Sequence, residues 1–251
     1  MSMPVLDGRG LSRHFGGLQA NADINLAVRE GEVHALIGPN GAGKTTFIAQ
    51  LSGLLRPDEG HVLFMGADIT HMSAHRRVHA GLVRSFQITS IFPPFSVLDN
   101  LALALRQDAS PGFSDFLRPW RAHSALFEQA RQIAAQVGLE GREALAAGEL
   151  AHGEQRQLEV GLALATRPHL LLLDEPMAGL GPEESERMIG LLMGLKGRLC
   201  MLLVEHDMDA VFRLADRISV LVAGRILASD VPEAIRINTD VRRAYLGDQI
   251  G

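Results

Sequence analysis

The stretch Gly38-Pro39-Asn40-Gly41-Ala42-Gly43-Lys44-Thr45 fits the pattern G-x-x-x-x-G-K-[ST]. Its composition is what a phosphate group requires. Glycines let backbone N–H groups wrap closely around an anion. The residues before it, Val33 to Ile37, read as a mostly apolar strand, and those after it, Thr45 to Leu54, have helical spacing. A helix beginning at Thr45 turns its positive end toward the phosphates. In that setting Lys44 neutralises the β- and γ-phosphates of a nucleotide and the Thr45 hydroxyl ligates Mg²⁺. The bland alternative, a chance glycine turn, leaves the flanking strand and helix unexplained. Gly38, Pro39, Asn40, Gly41, Ala42, Gly43, Lys44, Thr45 and Thr46 are therefore the expected nucleotide-binding residues.

Further along, Leu170-Leu171-Leu172-Leu173-Asp174-Glu175-Pro176 is an apolar strand ending in two carboxylates. Asp174 at the carboxyl end of a strand suits a direct or water-mediated Mg²⁺ contact. Glu175, one residue on, is placed to reach the water that attacks a γ-phosphate. Strands also read at His61 to Met65, Met201 to Val204 and Ile218 to Val222, and residues 5 to 37 read as short strands. Helices are expected at Val97 to Arg106, His123 to Val137, from near Gly153, at Glu183 to Lys196 and at Met208 to Ala215. Pro182 is placed to open the helix at Glu183, with acids in its first turn to suit the helix dipole. Strands alternating with helices imply an α/β fold with a largely parallel sheet. Residues 89–166 read as a helical subdomain inserted into a core formed by 1–88 and 167–251, all within a single domain spanning 1–251.

Composition narrows the partners. The chain has 251 residues and a formal net charge of -5, which argues against nucleic acid as the main partner. Lysine occurs only at Lys44 and Lys196, so a chain that otherwise uses arginine has placed a lysine in the glycine-rich loop. The single cysteine, Cys200, lies in an apolar run and reads as a small buried hydrophobe; it allows no disulfide within the chain, as in a reducing cytosol. The N-terminus does not read as a signal peptide, and no apolar run approaches the ~20 residues that span a bilayer. Any membrane role is then peripheral, through partners.

Gly153-Glu154-Gln155-Arg156-Gln157-Leu158-Glu159, followed by Leu162-Ala163-Leu164-Ala165, lies just before the acidic strand and resembles the signature motif of ABC ATPases. The resemblance runs from Leu11 to Gly247 with the motifs in their expected order. It implies a P-loop NTPase core of ABC-ATPase type, with an antiparallel β subdomain and the inserted helical subdomain, that binds ATP with Mg²⁺. It also implies roles for single residues. Phe15 matches the aromatic that stacks on adenine; the alternative is a core or strand-edge phenylalanine. Gln87 matches the glutamine that touches Mg²⁺ and the attacking water. His206 matches the histidine that contacts the γ-phosphate and Glu175. Leu150, Ala151, His152, Gly153 and Glu154 face the γ-phosphate of a second subunit's ATP. Two positions depart from the pattern: Ala151 stands where most of the superfamily has serine, and Gly181 where an Asp or Asn is usual.

Within the superfamily, Ala80-Gly81-Leu82-Val83-Arg84-Ser85-Phe86-Gln87, Ser96-Val97-Leu98-Asp99-Asn100-Leu101 and the tail Val241 to Gly247 resemble the ATPases of branched-chain amino-acid uptake systems. Motors for urea, short amides and lipopolysaccharide export share much of this. The implied partners are transmembrane permease subunits, a second ABC ATPase subunit and, indirectly, a periplasmic or surface solute-binding protein, at the cytoplasmic face of the cell membrane. The competing readings are a soluble ABC ATPase acting on DNA or ribosomes, disfavoured by the single phosphate loop and acidic balance, and a nucleotide-binding regulator without turnover, disfavoured by Glu175 and His206. His71, His75 and His79 fall at i, i+4 and i+8, a metal-binding face only if the segment is helical. Phe113, Phe116 and Trp120 read as packing for the helical subdomain.

Overall fold

Two sheets divide the molecule, and the computed structural model describes residues 3–85, 91–106 and 124–246. The first sheet is antiparallel, with order β2-β1-β4-β5, formed by β1 (Leu6–Phe15), β2 (Leu18–Val28), β4 (Glu59–Phe64) and β5 (Ala67–Asp68). Its first two strands are ten and eleven residues long, longer than the short strands expected. The register shifts between Gly8 and Leu11 and again at Leu11/Arg13 explain the difference, because each irregularity breaks the period-2 pattern that marks a strand.

The second sheet runs β10-β9-β3-β8-β7-β6, with β3 (Val33–Ile37), β6 (Leu82–Ser85), β7 (Leu170–Asp174), β8 (Cys200–Val204) and β9 (Arg217–Val222) mutually parallel. Strand β10 (Arg225–Asp230) adds antiparallel at the edge. Neither β6 nor β10 stood out in the sequence: one has four residues, the other an exposed, polar end. The parallel strands are mostly apolar because both faces are covered, with buried polar exceptions such as His34, Arg84 and Ser219. Leu170, Leu172, Leu202 and Val204 pack with α1 (Lys44–Ser52), which lies between the sheets. Leu171, Leu173, Met201 and Leu203 pack toward α3 (Val97–Leu105), α4 (Ser124–Gln136), α5 (His152–Ala165) and α6 (Pro182–Leu195). Helix α7 (Met208–Leu214) joins β8 to β9.

Local chemistry sets the helix ends. The Ser96 hydroxyl accepts from the Asp99 amide and opens α3. Pro182 opens α6, with Glu183 and Glu184 in the first turn, as the sequence implied. The triple-histidine face does not form. Helix α2 (Ala74–His79) has only six residues, so His71 precedes it, while His75 and His79 sit with their Nε2 atoms 3.1 Å apart. Among the described residues no group of three potential ligands gathers around a metal site. Cys200 is buried as expected, and burial pushes its thiol pKa up. Phe113, Phe116 and Trp120 lie outside the described residues.

Candidate active site

Strands β3, β8, β7 and β6 are consecutive neighbours and run the same way, so the segments leaving their carboxyl ends meet on one edge of the sheet. This is where open parallel sheets bind ligands. The loop after β3 is the glycine-rich one. Gly43 closes it with φ 103°, a left-handed backbone, and a Cβ there would overlap the Ala20 carbonyl oxygen. Lys44 is buried, and its ammonium donates to the carbonyls of Gly38 (2.6 Å) and Pro39 (3.0 Å), folding back over its own loop. Burial lowers the Lys44 pKa, while the negative charges of Glu175 and Asp174 push the other way.

A cavity of about 450 Å³ opens on this loop, lined by Asn40 to Thr46, Glu175 and Phe15 among others. Phe15 lies at the end of β1, is 48% exposed, and carries the Arg13 guanidinium 5.2 Å from its ring centre. An exposed aromatic at the mouth of a cavity is not core packing, while its place at the last position of β1 leaves the strand-edge reading standing.

Asp174 ends β7, and Glu175 follows with φ 51°, a left-handed conformation uncommon for a residue with a Cβ. The Glu175 amide donates to the Val204 carbonyl at 2.8 Å, and its side chain is exposed to the cavity. Asp174 is not free: Arg84 on β6, itself buried, donates from Nη2 to Asp174 Oδ2 at 2.5 Å. Its other oxygen and the exposed Thr45 hydroxyl are hard donors, the type that suits Mg²⁺. His206 leaves the end of β8 with an exposed side chain, and the Glu205 before it is fully buried. Gln87 lies outside the described residues.

Leu150 to Glu154 do not line this cavity. Leu150 is buried and Ala151 caps α5 without a side-chain bond. The Glu154 carboxylate takes over, accepting from the Ala151 amide at 3.0 Å and from Arg142 at 2.9 Å. The Gly153 amide donates to Glu184 Oε1 at 3.1 Å, and Glu184 Oε2 accepts from the Gly181 amide. These backbone donors, Gly181 first and Gly153 second, lower the Glu184 pKa. Three polar groups of this region were not singled out from the sequence: Arg84, Glu184 and Glu205. Arg84 offered the one legible signal, a charge in an otherwise apolar strand; the others depend on contacts made at long range.

The comparisons agree with this geometry. The ABC transporter family description matches residues 22–178. The high-affinity branched-chain amino acid transport ATP-binding protein BraF of Pseudomonas aeruginosa is 39% identical over 254 residues, covering 99% of this chain and 100% of the relative. LivG of Escherichia coli (strain K12), with the same description, is also 39% identical over 254 residues, with the same coverage. Among solved structures, an ATP-binding cassette of an ABC transporter in its ADP conformation superposes with a TM-score of 0.85 at 29% identity, covering 98% of this chain and 100% of that one. The chain belongs to the ABC transporter family.

Proposed function

We propose that this chain is the ATP-hydrolysing subunit of a transporter that imports branched-chain or other hydrophobic amino acids. The observation that carries the reading is the meeting of Lys44, Asp174, Glu175 and His206 at the carboxyl ends of adjacent parallel strands, beside a cavity that reaches Phe15. Lys44 exchanges the Gly38 and Pro39 carbonyls for the β- and γ-phosphates. The amides from Gly38 to Thr46 cradle them at the start of α1. Phe15 stacks on the adenine. Thr45, Asp174 and Gln87 are the groups that would hold Mg²⁺, which when bound neutralises phosphate charge. Glu175 orients the attacking water or takes its proton, and His206 contacts the γ-phosphate.

Leu150, Ala151, His152, Gly153 and Glu154 serve the ATP of a second ATPase subunit, which fits their absence from the lining of this chain's own cavity. We assign 1–88 and 167–251 to the nucleotide-binding core and 89–166 to the helical subdomain. No described helix is long and apolar enough to cross a membrane. Attachment to the cytoplasmic face is through transmembrane permease subunits, with a periplasmic or surface solute-binding protein delivering cargo. The cargo class follows the printed descriptions of the relatives.

The decisive variant is Glu175→Gln. It is expected to keep ATP binding, to cut turnover by roughly 10²–10⁴-fold, the range for losing a positioned acid–base group, and to accumulate an ATP-bound dimer. Near-normal turnover in a clean preparation sinks the assignment. Leucine uptake by proteoliposomes holding the complete transporter tests the cargo class.

A further inference from the structure

The side chain of Glu205 is fully buried, yet it has no role in the reading above. Its carboxylate accepts three backbone hydrogen bonds. Oε1 takes the Met177 amide at 2.8 Å. Oε2 takes the His206 amide at 2.9 Å and the Asp207 amide at 3.3 Å. Met177 lies two residues after Glu175, in the turn that leaves β7. His206 and Asp207 lie in the loop that leaves β8. One buried carboxylate therefore ties together the two segments that carry the proposed water-orienting acid and the proposed γ-phosphate contact.

A buried carboxylate is costly unless its oxygens are satisfied, and burial does push the Glu205 pKa up against those amide donors. A glutamine could not replace it. It has a single acceptor oxygen, and its NH₂ would face either Met177 or the His206 and Asp207 amides donor to donor. The turn it holds is also strained. Glu175 keeps a left-handed φ of 51°, and such a conformation persists only where its surroundings over-determine it. Two links cross from β8 to this turn: the Glu175 amide to the Val204 carbonyl, and the Met177 amide to Glu205.

We propose that Glu205 is a positioning residue for ATP hydrolysis, a clasp that fixes Glu175 and His206 relative to one another. The proposal rests on the assignment of hydrolysis to this site. Glu205 does not touch the nucleotide; it acts through the two segments it joins, and the glycine-rich loop does not depend on it.

Glu205→Asp is the informative variant. It keeps the charge and the local amide bonds of its own loop, but with one methylene fewer it withdraws from Met177. Glu205→Gln is the second variant and removes an acceptor. Both are expected to lower single-turnover ATP hydrolysis by about 10- to 100-fold, as misplacement of reacting groups by about an ångström does. The affinity for a fluorescent ATP analogue should change by less than about threefold, so that the loss falls on kcat and not on binding. In a His206→Ala background, Glu205→Asp should cost less than about threefold more, because the relative placement it secures no longer matters. Wild-type turnover in Glu205→Asp, an equal loss of affinity and turnover, or losses that multiply in the double variant would each overturn the clasp. If instead the unmodified chain fails to hydrolyse ATP, or Glu175→Gln turns over normally, it is the underlying assignment that fails.

Discussion

Gly43 shows how a single residue can be required by its backbone. It stands between the glycine-rich loop and α1 with φ 103°, close to the Ala20 carbonyl and the Asn21 side chain. The Asn21 amide also donates to the Gly43 carbonyl at 3.1 Å, and Gln50 Nε2 donates to Asn21 Oδ1 at 2.6 Å, so the neighbours are themselves held. A methyl group here has nowhere to go. Gly43→Ala is expected to cost about 1–3 kcal/mol, the range for a strained backbone, and to weaken ATP binding by at least about tenfold, since 1.4 kcal/mol corresponds to that factor. Denaturant titration and equilibrium nucleotide binding measure the two effects. A variant with unaltered stability and affinity contradicts the role given to this glycine. The sequence made Gly43 legible because its pattern is local, whereas the need for Glu205 at the end of β8 comes from Met177, which lies 28 positions away.

Helix α2 is too short to be stable alone, and Arg77 explains why it is held. Its buried guanidinium donates to the carbonyls of Gln50 and Leu51 at the end of α1, and to those of Ile69, Thr70 and Met72. Burial lowers the Arg77 pKa to about 10, with Asp68 opposing weakly. The cation thus caps the carboxyl end of the nucleotide-loop helix and gathers the turn before α2 onto it. Arg77→Met removes five donors and strands buried carbonyls, each costing about 1–3 kcal/mol, partly offset by relief of the buried charge. A net loss of about 3 kcal/mol is expected, which lowers the melting temperature by roughly 6–12 °C for a chain of this size. Thermal unfolding monitored by circular dichroism checks this, and a shift below about 2 °C would show that the carbonyls find other partners. Element existence was readable from periodicity for α3 to α7. The short pieces α2, β6 and β10 were not, because their conformation is imposed by neighbours.

At the scale of the whole molecule, the proposed function gives two faces a partner. Phe92 and Phe95 are exposed and stacked, with ring centres 5.6 Å apart, and the next residue, Ser96, lines a cavity of about 740 Å³ with Leu98, Phe127 and Arg131. We place permease docking on the segment from Ile88 to Leu98, because it carries the apolar cluster Ile91-Phe92-Pro93-Pro94-Phe95; its first three residues lie outside the described ones. Phe92→Asp or Phe95→Asp should weaken co-purification with the permease subunits and leave the basal ATPase of the isolated subunit largely intact. Retention of full co-purification by both variants rules this face out. The other face is the start of α5. Ala151 supplies no hydroxyl, and the Gly153 amide already holds the Glu184 carboxylate. A serine hydroxyl at 151 could add a charge-assisted bond to the partner's γ-phosphate, about 1.5–3 kcal/mol where well formed. Ala151→Ser in a Glu175→Gln background should tighten ATP-driven dimerisation by up to roughly tenfold per 1.4 kcal/mol gained. Light scattering against ATP concentration measures it, and unchanged or weaker closure means that the hydroxyl is not what limits the interface.

What the sequence determined by itself was what is written locally: the glycine-rich loop from Gly38 to Thr46, the acidic end of Leu170–Glu175, the apolar strands and the α/β class. Each rests on residues within a few positions of one another, where spacing alone fixes the chemistry. Tertiary structure decided which strands adjoin. The order β3-β8-β7-β6 brings Lys44, His206, Glu175 and Arg84 to one edge from segments far apart in the chain. It also decided the buried polar partners, Arg84 with Asp174, Glu184 with Gly153 and Glu205 with Met177. Such contacts leave no periodic trace in the chain, because a hydrogen bond constrains distance and direction in space and is indifferent to separation along the sequence.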